Sequence, residues 1–368
     1  MPGFDTVIIG GGIIGCSLAR LLAGDGAKVG LIERGAPGEE ASWAAAGMLS
    51  PSAEAEKGSP IFNLCRASLK LYGQLAAELQ AETDMDLGYR SEGTLLLFEN
   101  EQDREAMLPS MEWQRGAGIS IQELSAQETR EREPHLADGL AAFYLPEDHQ
   151  IDNRMLMQAL VASCRHRGVE FLLGKTVTEV ERNGQGVTGV LLEKEKVAAG
   201  RVVNTAGAWA GAISAKGLAP TPIRPVKGHM LALESPDPPF RHVIRSHRCY
   251  MVPRLGGRVI VGSTMEEAGF DKSPRAGPLT GLLRAAQKTC PVLAGSTVAD
   301  FWTGLRPAAP DGLPVLGPTA IEGYSAALGH FRNGILLAPI TAQILSAWLL
   351  TGKSPFAVDA LLPQRFGG

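Results

Sequence analysis

The sequence has no charge excess, no uninterrupted membrane-length apolar run and no clustered cysteines, and each absence excludes a class of protein. Its 368 residues carry a net charge of −4 and no block of like charges, which argues against a nucleic-acid partner. The most apolar segment, 335–350, is short for a bilayer span and contains Pro339, Thr341 and Gln343, so we expect a buried helix and no stable membrane insertion. The N-terminus carries no basic n-region or cleavage site, so no signal peptide is predicted.

The five cysteines are scattered and form no C-x-x-C pair. Such usage fits a reducing compartment, so a cytoplasmic location is expected. His242, His247 and Cys249 are close in sequence, but they lie on one strand-like segment without a second cluster. We therefore predict no metal site and expect these side chains to be solvated or hydrogen-bonded.

A dinucleotide-binding turn is predicted at the N-terminus. The apolar run 7–9 is typical of a buried parallel strand, and Gly10, Gly12 and Gly15 follow it with G-x-G-x-x-G spacing before a helical pattern. Gly10 allows a tight turn, Gly12 allows the backbone to approach a pyrophosphate closely, and Gly15 allows the helix to pack tightly on the strand. Glu33 ends the next strand, 23 positions after Gly10, where a carboxylate accepts ribose hydroxyls and repels the 2′-phosphate of NADP. The alternative, a glycine turn without a ligand, is disfavoured because strand, turn, helix and acidic strand end all agree.

The order of elements predicts two interleaved domains. A second strand and glycine turn at 201–209 returns the chain to the nucleotide domain, whereas the other stretches alternate apolar and polar residues as antiparallel sheets do. The predicted fold is α/β, a Rossmann-like nucleotide domain with an antiparallel-sheet α+β substrate domain and a cleft between them. The expected bounds are 1–88, 151–222 and 304–368 for the discontinuous nucleotide domain, and 89–150 and 223–303 for the substrate domain.

Five segments together resemble the D-amino-acid-oxidase superfamily of FAD-dependent amine oxidases. They are 7–15, 42–49, 204–210, 304–317 and 329–337. The resemblance covers essentially the whole chain and is strongest to the bacterial branch that oxidises glycine and feeds thiazole synthesis for thiamine. It implies an FAD-binding domain of the GR2/DAO type. It also implies noncovalent FAD, because the covalent-flavin cysteine of some relatives has no evident counterpart here.

The resemblance implies a cofactor site built from several turns. The first glycine turn holds the FAD pyrophosphate, Glu33 the adenosine ribose and the backbone of Val177 the adenine, while 329–337 presents a helix N-terminus to the pyrimidine side of the flavin. The run 42–49 lines the flavin, although its composition fits a short alanine-rich helix equally well. The residues expected to bind the cofactor are Gly10, Gly12, Ile13, Ile14, Gly15, Glu33, Arg34, Ser42, Ala44, Ala46, Gly47, Met48, Val177, Ala206, Gly207, Trp209, Arg306, Arg332, Asn333, Gly334, Ile335 and Leu336.

For the substrate, the resemblance implies a small amino acid whose carboxylate is held by Arg306, since a planar guanidinium suits a planar carboxylate. Tyr250 matches a tyrosine whose hydroxyl assists in substrate binding, and Arg332 matches a residue that lies beside the flavin. Met265 matches an apolar wall residue that limits side-chain room, and Ser50 matches a position whose backbone faces the amine. The alternatives are an interface salt bridge for Arg306, core packing for Met265 and a structural role for Arg332.

The implied reaction is oxidative deamination of glycine, sarcosine or a small D-amino acid by hydride transfer to flavin N5, with O2 as acceptor and H2O2 as product. No acid–base residue is required if the amine binds neutral. Lys227 and His229 lie on the strand that precedes the cleft. They could assist oxygen reduction or line the entrance, but the simpler interpretation is that they are solvated charges. Family members are often tetramers, so a homo-oligomer, tetramer or dimer, is expected.

Three alternative functions remain open at this point. The first is an FAD-dependent D-amino-acid or proline dehydrogenase that passes electrons to a quinone or carrier. The second is a tRNA-modifying FAD protein, which the acidic balance disfavours. The third is a noncatalytic nucleotide-binding scaffold, which the presence of both Arg306 and Tyr250 disfavours.

Overall fold

The computed structural model describes residues 3–367, and within them the chain forms two large sheets flanked by helices. The helices are α1 Ile13–Gly24, α2 Ala41–Ala44, α3 Phe62–Thr83, α4 Glu101–Gly116, α5 Ala126–Arg132, α6 Asn153–His166, α7 Ala276–Thr289 and α8 Gly334–Thr351. The strands are β1 Phe4–Ile9, β2 Val29–Glu33, β3 Met48–Leu49, β4 Thr94–Phe98, β5 Gln122–Leu124, β6 Ala141–Leu145, β7 His149–Gln150, β8 Glu170–Leu173, β9 Val177–Asn183, β10 Gly186–Leu192, β11 Lys196–Asn204, β12 Ser214–Ala215, β13 Arg224–Glu234, β14 Val243–Arg245, β15 Tyr250–Pro253, β16 Arg258–Gly262, β17 Thr297–Ala308, β18 Val315–Pro318 and β19 Tyr324–Leu328.

The first sheet is the nucleotide-type layer. Its order is β12-β9-β10-β11-β1-β2-β8, and β19 joins β11 and carries β18. Strands β11, β1, β2 and β8 run parallel, as the apolar run at the N-terminus predicts. Alternate side chains of β1 enter two cores, because Ile8 faces the helices α1, α3, α6 and α8 whereas Val7 and Ile9 face the β9–β10 hairpin side.

The second sheet combines both strand-rich excursions of the chain. Its order is β17-β13-β16-β15-β14-β4-β6-β5, so β4 to β6 from the first excursion extend the strands of the second. The pairs β13–β17, β13–β16 and β15–β16 are antiparallel, as predicted, whereas β14 and β4 pair in parallel. Strand β17 continues to Ala308, so the expected domain boundary at 303/304 falls inside a strand.

Helix α8 is long and apolar enough to cross a membrane by length and composition, but 61% of it is buried inside the protein. It packs against α1 and α3. The hydroxyls of Ser68 and Tyr72 on α3 donate to the carbonyls of Leu336 and Ile335 in its first turn. These contacts hold the beginning of α8 at the edge of the first sheet, where the site lies.

Candidate active site

A long cleft runs from the glycine turn after β1 to the strands β13, β15 and β17 of the second sheet. The space between its walls is about 1930 Å³ when the open solvent at its mouth is included. All of the predicted cofactor residues line this cleft except Gly15 and Leu336. Of the predicted substrate residues, Arg306, Tyr250, Arg332 and Ser50 line it and Met265 does not.

The glycine turn leaves room for backbone alone. Gly10 has φ +104°, and a Cβ atom there would lie 2.7 Å from the carbonyl oxygen of Thr205. A Cβ atom at Gly15 would overlap the carbonyl oxygen of Gly10, which explains why Gly15 packs the helix on the strand and does not face the cleft. At Gly12 a Cβ atom would lie 3.2 Å from Ser42 Oγ, in the space next to the start of α1.

Glu33 is fixed by backbone donors at the end of β2. Its two carboxylate oxygens accept hydrogen bonds from Gly11 N at 2.7 Å and from Gly35 N at 2.8 Å. Beside it, the guanidinium of Arg34 lies 3.6 Å from the ring centre of Trp209, in a cation–π contact. The carboxylate is therefore oriented, and Arg34 and Trp209 form a wall of the same end of the cleft.

Ser42 caps α1 from a distant part of the chain. Ile13 N donates to Ser42 Oγ at 2.9 Å, whereas Gly12 at the N-cap has no side chain to do so. Asn153 Nδ2 in turn donates to the carbonyls of Ser42 and Trp43 at 2.8 and 3.0 Å. Asn153 is thus a positioning residue of the site, a role that no sequence pattern indicated.

The small-residue run is only in part the short helix that its composition allows. It forms one helical turn, Ala41–Ala44, and then continues extended into β3. A Cβ atom at Gly304 on β17 would lie 2.5 Å from the Cβ of Ala44, so the second sheet approaches this run closely. Arg254 Nη2 donates to the carbonyl of Ala46 at 2.6 Å and holds the extended part in place.

The N-terminus of α8 opens into the cleft. Residues 329–335 line it, and Asn333 at the N-cap makes no side-chain capping bond, so the first amides of the helix are available to a ligand. His330 is buried, and burial lowers the pKa of its imidazole to about 3. Its Nε2 lies 3.0 Å from Thr341 Oγ1, so His330 is a neutral structural residue at this turn.

Arg306 on β17 lies at the substrate end of the cleft and is held from behind. Its Nη1 donates to the carbonyl of Thr264 at 3.1 Å, and its Nη2 donates to Ser263 Oγ at 2.6 Å. A Cβ atom at Gly228, on the neighbouring strand, would overlap the guanidinium. Burial lowers the pKa of Arg306, but a guanidinium stays cationic at neutral pH, and Tyr250 stands beside it.

Arg332 forms an ion pair with Glu54, and the same carboxylate pairs with Arg245 on β14. Glu54 lines the cleft and was not predicted, because a single glutamate in a loop carries no motif. Ser50 is buried at the start of this loop, with its hydroxyl 3.5 Å from Thr94 Oγ1. The structure therefore brings Arg332, Glu54 and Ser50 to the same end as Arg306.

Met265 lies outside the cleft, and 61% of it is exposed. The expected apolar wall is therefore not formed by this side chain here, because Met265 belongs to a surface loop that follows Ser263. Leu336 is also absent from the lining, since its side chain turns into the core beneath α8.

The interpretation of Lys227 and His229 as solvated charges is wrong. Both side chains are completely buried. Lys227 Nζ lies 3.4 Å from Asp271 Oδ2, and His229 Nδ1 lies 3.0 Å from Thr264 Oγ1. His229 Nε2 accepts from Arg275 N at 2.9 Å, and burial lowers the pKa of this imidazole, so it is neutral. The pair anchors residues 264–275, the loop whose first carbonyl holds Arg306.

In the described part of the chain, 3–367, no group of three or more His, Cys, Asp and Glu side chains is arranged to hold a metal ion. His242 Nδ1 lies 2.5 Å from Glu133 Oε1, which is a hydrogen-bonded pair. The five cysteines are buried and free.

The cleft suits a flavin dinucleotide. The glycine turn accepts nothing bulkier than backbone beside the start of α1, and the N-termini of α1 and α8 both line the cleft, as phosphates and an anionic ring require. Glu33 is oriented to accept hydroxyl hydrogens. The small residues Ala44, Ala46 and Gly47 line the same cleft as Gly304 of β17.

Known proteins resemble this chain over nearly its whole length. The family model described as FAD dependent oxidoreductase, DAO, matches residues 5–348. The bifunctional protein ThiO/ThiG of Synechocystis sp. is 37% identical over 98% of this chain, which spans only 54% of that relative. Glycine oxidase of Bacillus licheniformis is 33% identical, with 94% of this chain and 93% of the relative covered.

The fold has a solved counterpart as well. The crystal structure of glycine oxidase from Geobacillus kaustophilus superposes with a TM-score of 0.94 at 32% identity and covers 98% of both chains. The motifs, the cleft and these similarities all indicate the same family. The chain belongs to the DAO family of FAD-dependent oxidoreductases, and FAD is its cofactor.

Proposed function

We propose that this protein oxidises glycine and other small amines, such as sarcosine and small D-amino acids, with O2 as the electron acceptor. The observation that carries this proposal is the fixed guanidinium of Arg306 beside Tyr250, at the end of the cleft that the start of α8 also faces. A two-pronged cation at a closed end selects a carboxylate and places the carbon next to it at a defined position. Glycine oxidases among the relatives support the choice of a small amino acid.

FAD, held by the glycine turn, Glu33 and the start of α8, would supply a two-electron acceptor for the hydride of the substrate Cα, and its reoxidation by O2, with two protons, would give H2O2. The rest of the catalysis is orientation by this chain. Arg306 binds the carboxylate, and Thr264 and Ser263 prevent the guanidinium from turning, so the Cα–H bond is aimed in one direction.

Tyr250 supplies a hydroxyl beside the carboxylate site. This hydroxyl donates to Met230 Sδ at 3.3 Å, a weak acceptor that a substrate oxygen can replace at little cost. The amine gives up its ammonium proton to solvent before it binds, and its nitrogen lone pair then forms the C=N bond as the hydride leaves, so the site needs no buried base. Hydrolysis of the resulting imine in water gives glyoxylate from glycine and a 2-oxo acid from a D-amino acid.

The imine also suggests a biological role. Relatives named ThiO/ThiG carry a segment like this chain together with a further segment, and the chain spans about half their length. We infer that glycine imine made here is supplied to thiazole synthesis for thiamine. A homo-oligomer, tetramer or dimer, in the cytoplasm is part of the same proposal.

The test is a peroxide assay on the purified yellow protein with glycine, sarcosine, D-alanine and D-proline. Peroxide from glycine is expected, and Arg306→Ala is expected to raise the apparent KM strongly while FAD stays bound. A yellow protein that these amines bleach without consuming oxygen would instead be a dehydrogenase for a quinone or carrier. Failure of all four substrates to reduce the flavin would contradict the proposal.

A further inference from the structure

Three guanidinium groups surround Tyr250. Together they carry more positive charge than is needed to bind an amino acid with one carboxylate. Arg306 and Arg332 line the cleft with Tyr250. Arg245 lies directly opposite Tyr250 in the β14–β15 pair, so the two side chains share one face of the sheet. Burial lowers the pKa of Arg245 to about 10, and the charge of Arg332 lowers the pKa of both Arg245 and Arg306, as expected for neighbouring cations.

Glu54 compensates much of this charge from within the cleft. It forms ion pairs with both Arg245 and Arg332, its side chain is only 11% exposed, and it lines the cleft. The other carboxylates among the described lining residues, Glu33, Glu39 and Glu40, lie at the end of β2 and directly after it, at the dinucleotide end. Arg306 is left as the cation without an acidic partner, facing the place of the substrate carboxylate.

We propose that Glu54 occupies the position of a second substrate carboxylate and thereby restricts the site to amines with one carboxylate. This inference rests on the proposed function and names its substrate class. With Glu54 in place, a dicarboxylic amine such as iminodiacetate, which is glycine with a second carboxymethyl group on nitrogen, meets a buried like charge. Without that charge, Arg332 and Arg245 form a ready site for its second carboxylate.

The loop that carries Glu54 is itself held in place. The buried carboxylate of Asp148 accepts from Ser52 N at 3.0 Å and from Ala53 N at 3.1 Å, directly before Glu54. The residue that excludes dicarboxylic amines therefore lies in a fixed segment. A substrate cannot easily displace Glu54 by moving the loop, so a second carboxylate is accepted only when Glu54 itself is substituted.

The experiment compares Glu54→Gln, which keeps shape and removes charge, with Glu54→Asp, which keeps charge. The ratio of kcat/KM for iminodiacetate to that for glycine is expected to rise at least tenfold in Glu54→Gln and to stay near the wild-type ratio in Glu54→Asp. Glu112→Gln is the matched control, because Glu112 is exposed on α4 and does not line the cleft. A ratio unchanged in Glu54→Gln, or raised equally by Glu112→Gln, would overturn the proposal.

A binding measurement separates this proposal from the proposed function. Glutarate has the length of iminodiacetate and no amine, and pentanoate lacks its second carboxylate; both are titrated into the yellow holoenzyme and followed by the flavin spectrum. In Glu54→Gln, the affinity for glutarate is expected to rise at least tenfold relative to the affinity for pentanoate, whether or not glycine is oxidised. Equal changes for the two acids would refute the role of Glu54, while loss of glycine turnover with an intact glutarate effect would refute only the choice of substrate.

Discussion

The guanidinium of Arg306 is held in one orientation, since it donates one hydrogen bond to the carbonyl of Thr264 and one to Ser263 Oγ. Lysine at this position keeps the charge but loses the planar fork. We expect Arg306→Lys to raise the KM for glycine roughly 10- to 100-fold, the equivalent of one charge-assisted hydrogen bond. Steady-state peroxide assays measure this effect, with Arg284→Lys on the exposed side of α7 as the control. An unchanged KM would show that Arg306 does not hold the carboxylate.

Gly15 is a second single-residue test, because a methyl group there overlaps the carbonyl of Gly10. We expect Gly15→Ala to lower the melting temperature and the ratio of flavin to protein absorbance together, since the turn and the start of α1 are forced apart. Gly116→Ala is the matched control, because a Cβ atom at Gly116 meets nothing within 4 Å. A Gly15→Ala protein with full flavin content would contradict the close packing seen here.

Local spacing predicted the residues whose role is local. Gly10, Gly15 and Glu33 belong to one strand–turn–helix–strand unit, so their positions follow from the chain near them. Glu54 and Asn153 could not be predicted in this way. Glu54 acquires its partners from β14 and from the turn before α8, and Asn153 reaches Ser42 over 111 positions, so only the tertiary fold brings these groups together.

At the level of elements, Lys227 and His229 on β13 connect the second sheet to the loop 264–275. Lys227→Met would leave Asp271 and the carbonyl of Ser273 without their buried donor. We expect the free energy of unfolding to fall by about 0.5–1.5 kcal/mol, the usual net contribution of a hydrogen bond, because Asp271 and Ser273 are themselves exposed and can bind water instead. Urea denaturation of the holoenzyme measures this change. The control is Lys272→Met, whose partner Glu40 is a surface contact, and an equal loss in both variants would argue against a special role of Lys227.

Asp148 makes the segment 50–54 sensitive to pH. Burial raises the pKa of its carboxyl from 3.8 to about 7, against the lowering effect of the amides of Ser52 and Ala53. Because the folded-state pKa is raised, its contribution to stability is present in full below about pH 4 and is lost as the pH rises towards 7.

The matched variant is Asp148→Asn, which cannot ionise. We expect the wild type to lose stability relative to Asp148→Asn between pH 4 and pH 7, by an amount on the order of a few kcal/mol. Urea unfolding of both proteins at several pH values gives the difference. A difference that is flat over this range would show that folding does not raise the pKa of this carboxyl.

The elements that periodicity predicted are those with a simple pattern, such as the parallel strands around β1 and the buried helix α8. The run 42–49 was ambiguous because its small residues suit a wall beside a flat ring and a short alanine-rich helix equally well. Its outcome is set by partners far away in the sequence, namely Arg254 at the carbonyl of Ala46 and Gly304 against Ala44. The parallel contact of β14 with β4 is likewise a product of the whole fold.

At the scale of the molecule, the cleft is made by segments from both sheets. The glycine turn, the end of β2 and the start of α8 belong to the first sheet, whereas β13, β15 and β17 belong to the second. A dinucleotide bound in this cleft would bridge elements of both sheets. Ligand binding should therefore add to the stability of the entire chain.

We expect removal of FAD to lower the melting temperature by several degrees and its return to raise it again in a concentration-dependent way. Binding to the folded state alone adds RT ln(1 + [L]/Kd), about 2.7 kcal/mol at 100 times Kd. ADP contains the pyrophosphate and the ribose that Glu33 and the glycine turn are placed to hold, so it should restore part of the shift, and riboflavin, which lacks both, should restore less. Differential scanning fluorimetry of the apoprotein with each ligand gives the comparison. Equal melting of apoprotein and holoprotein, or a larger effect of riboflavin than of ADP, would mean that the glycine turn and Glu33 do not provide the main hold on the cofactor.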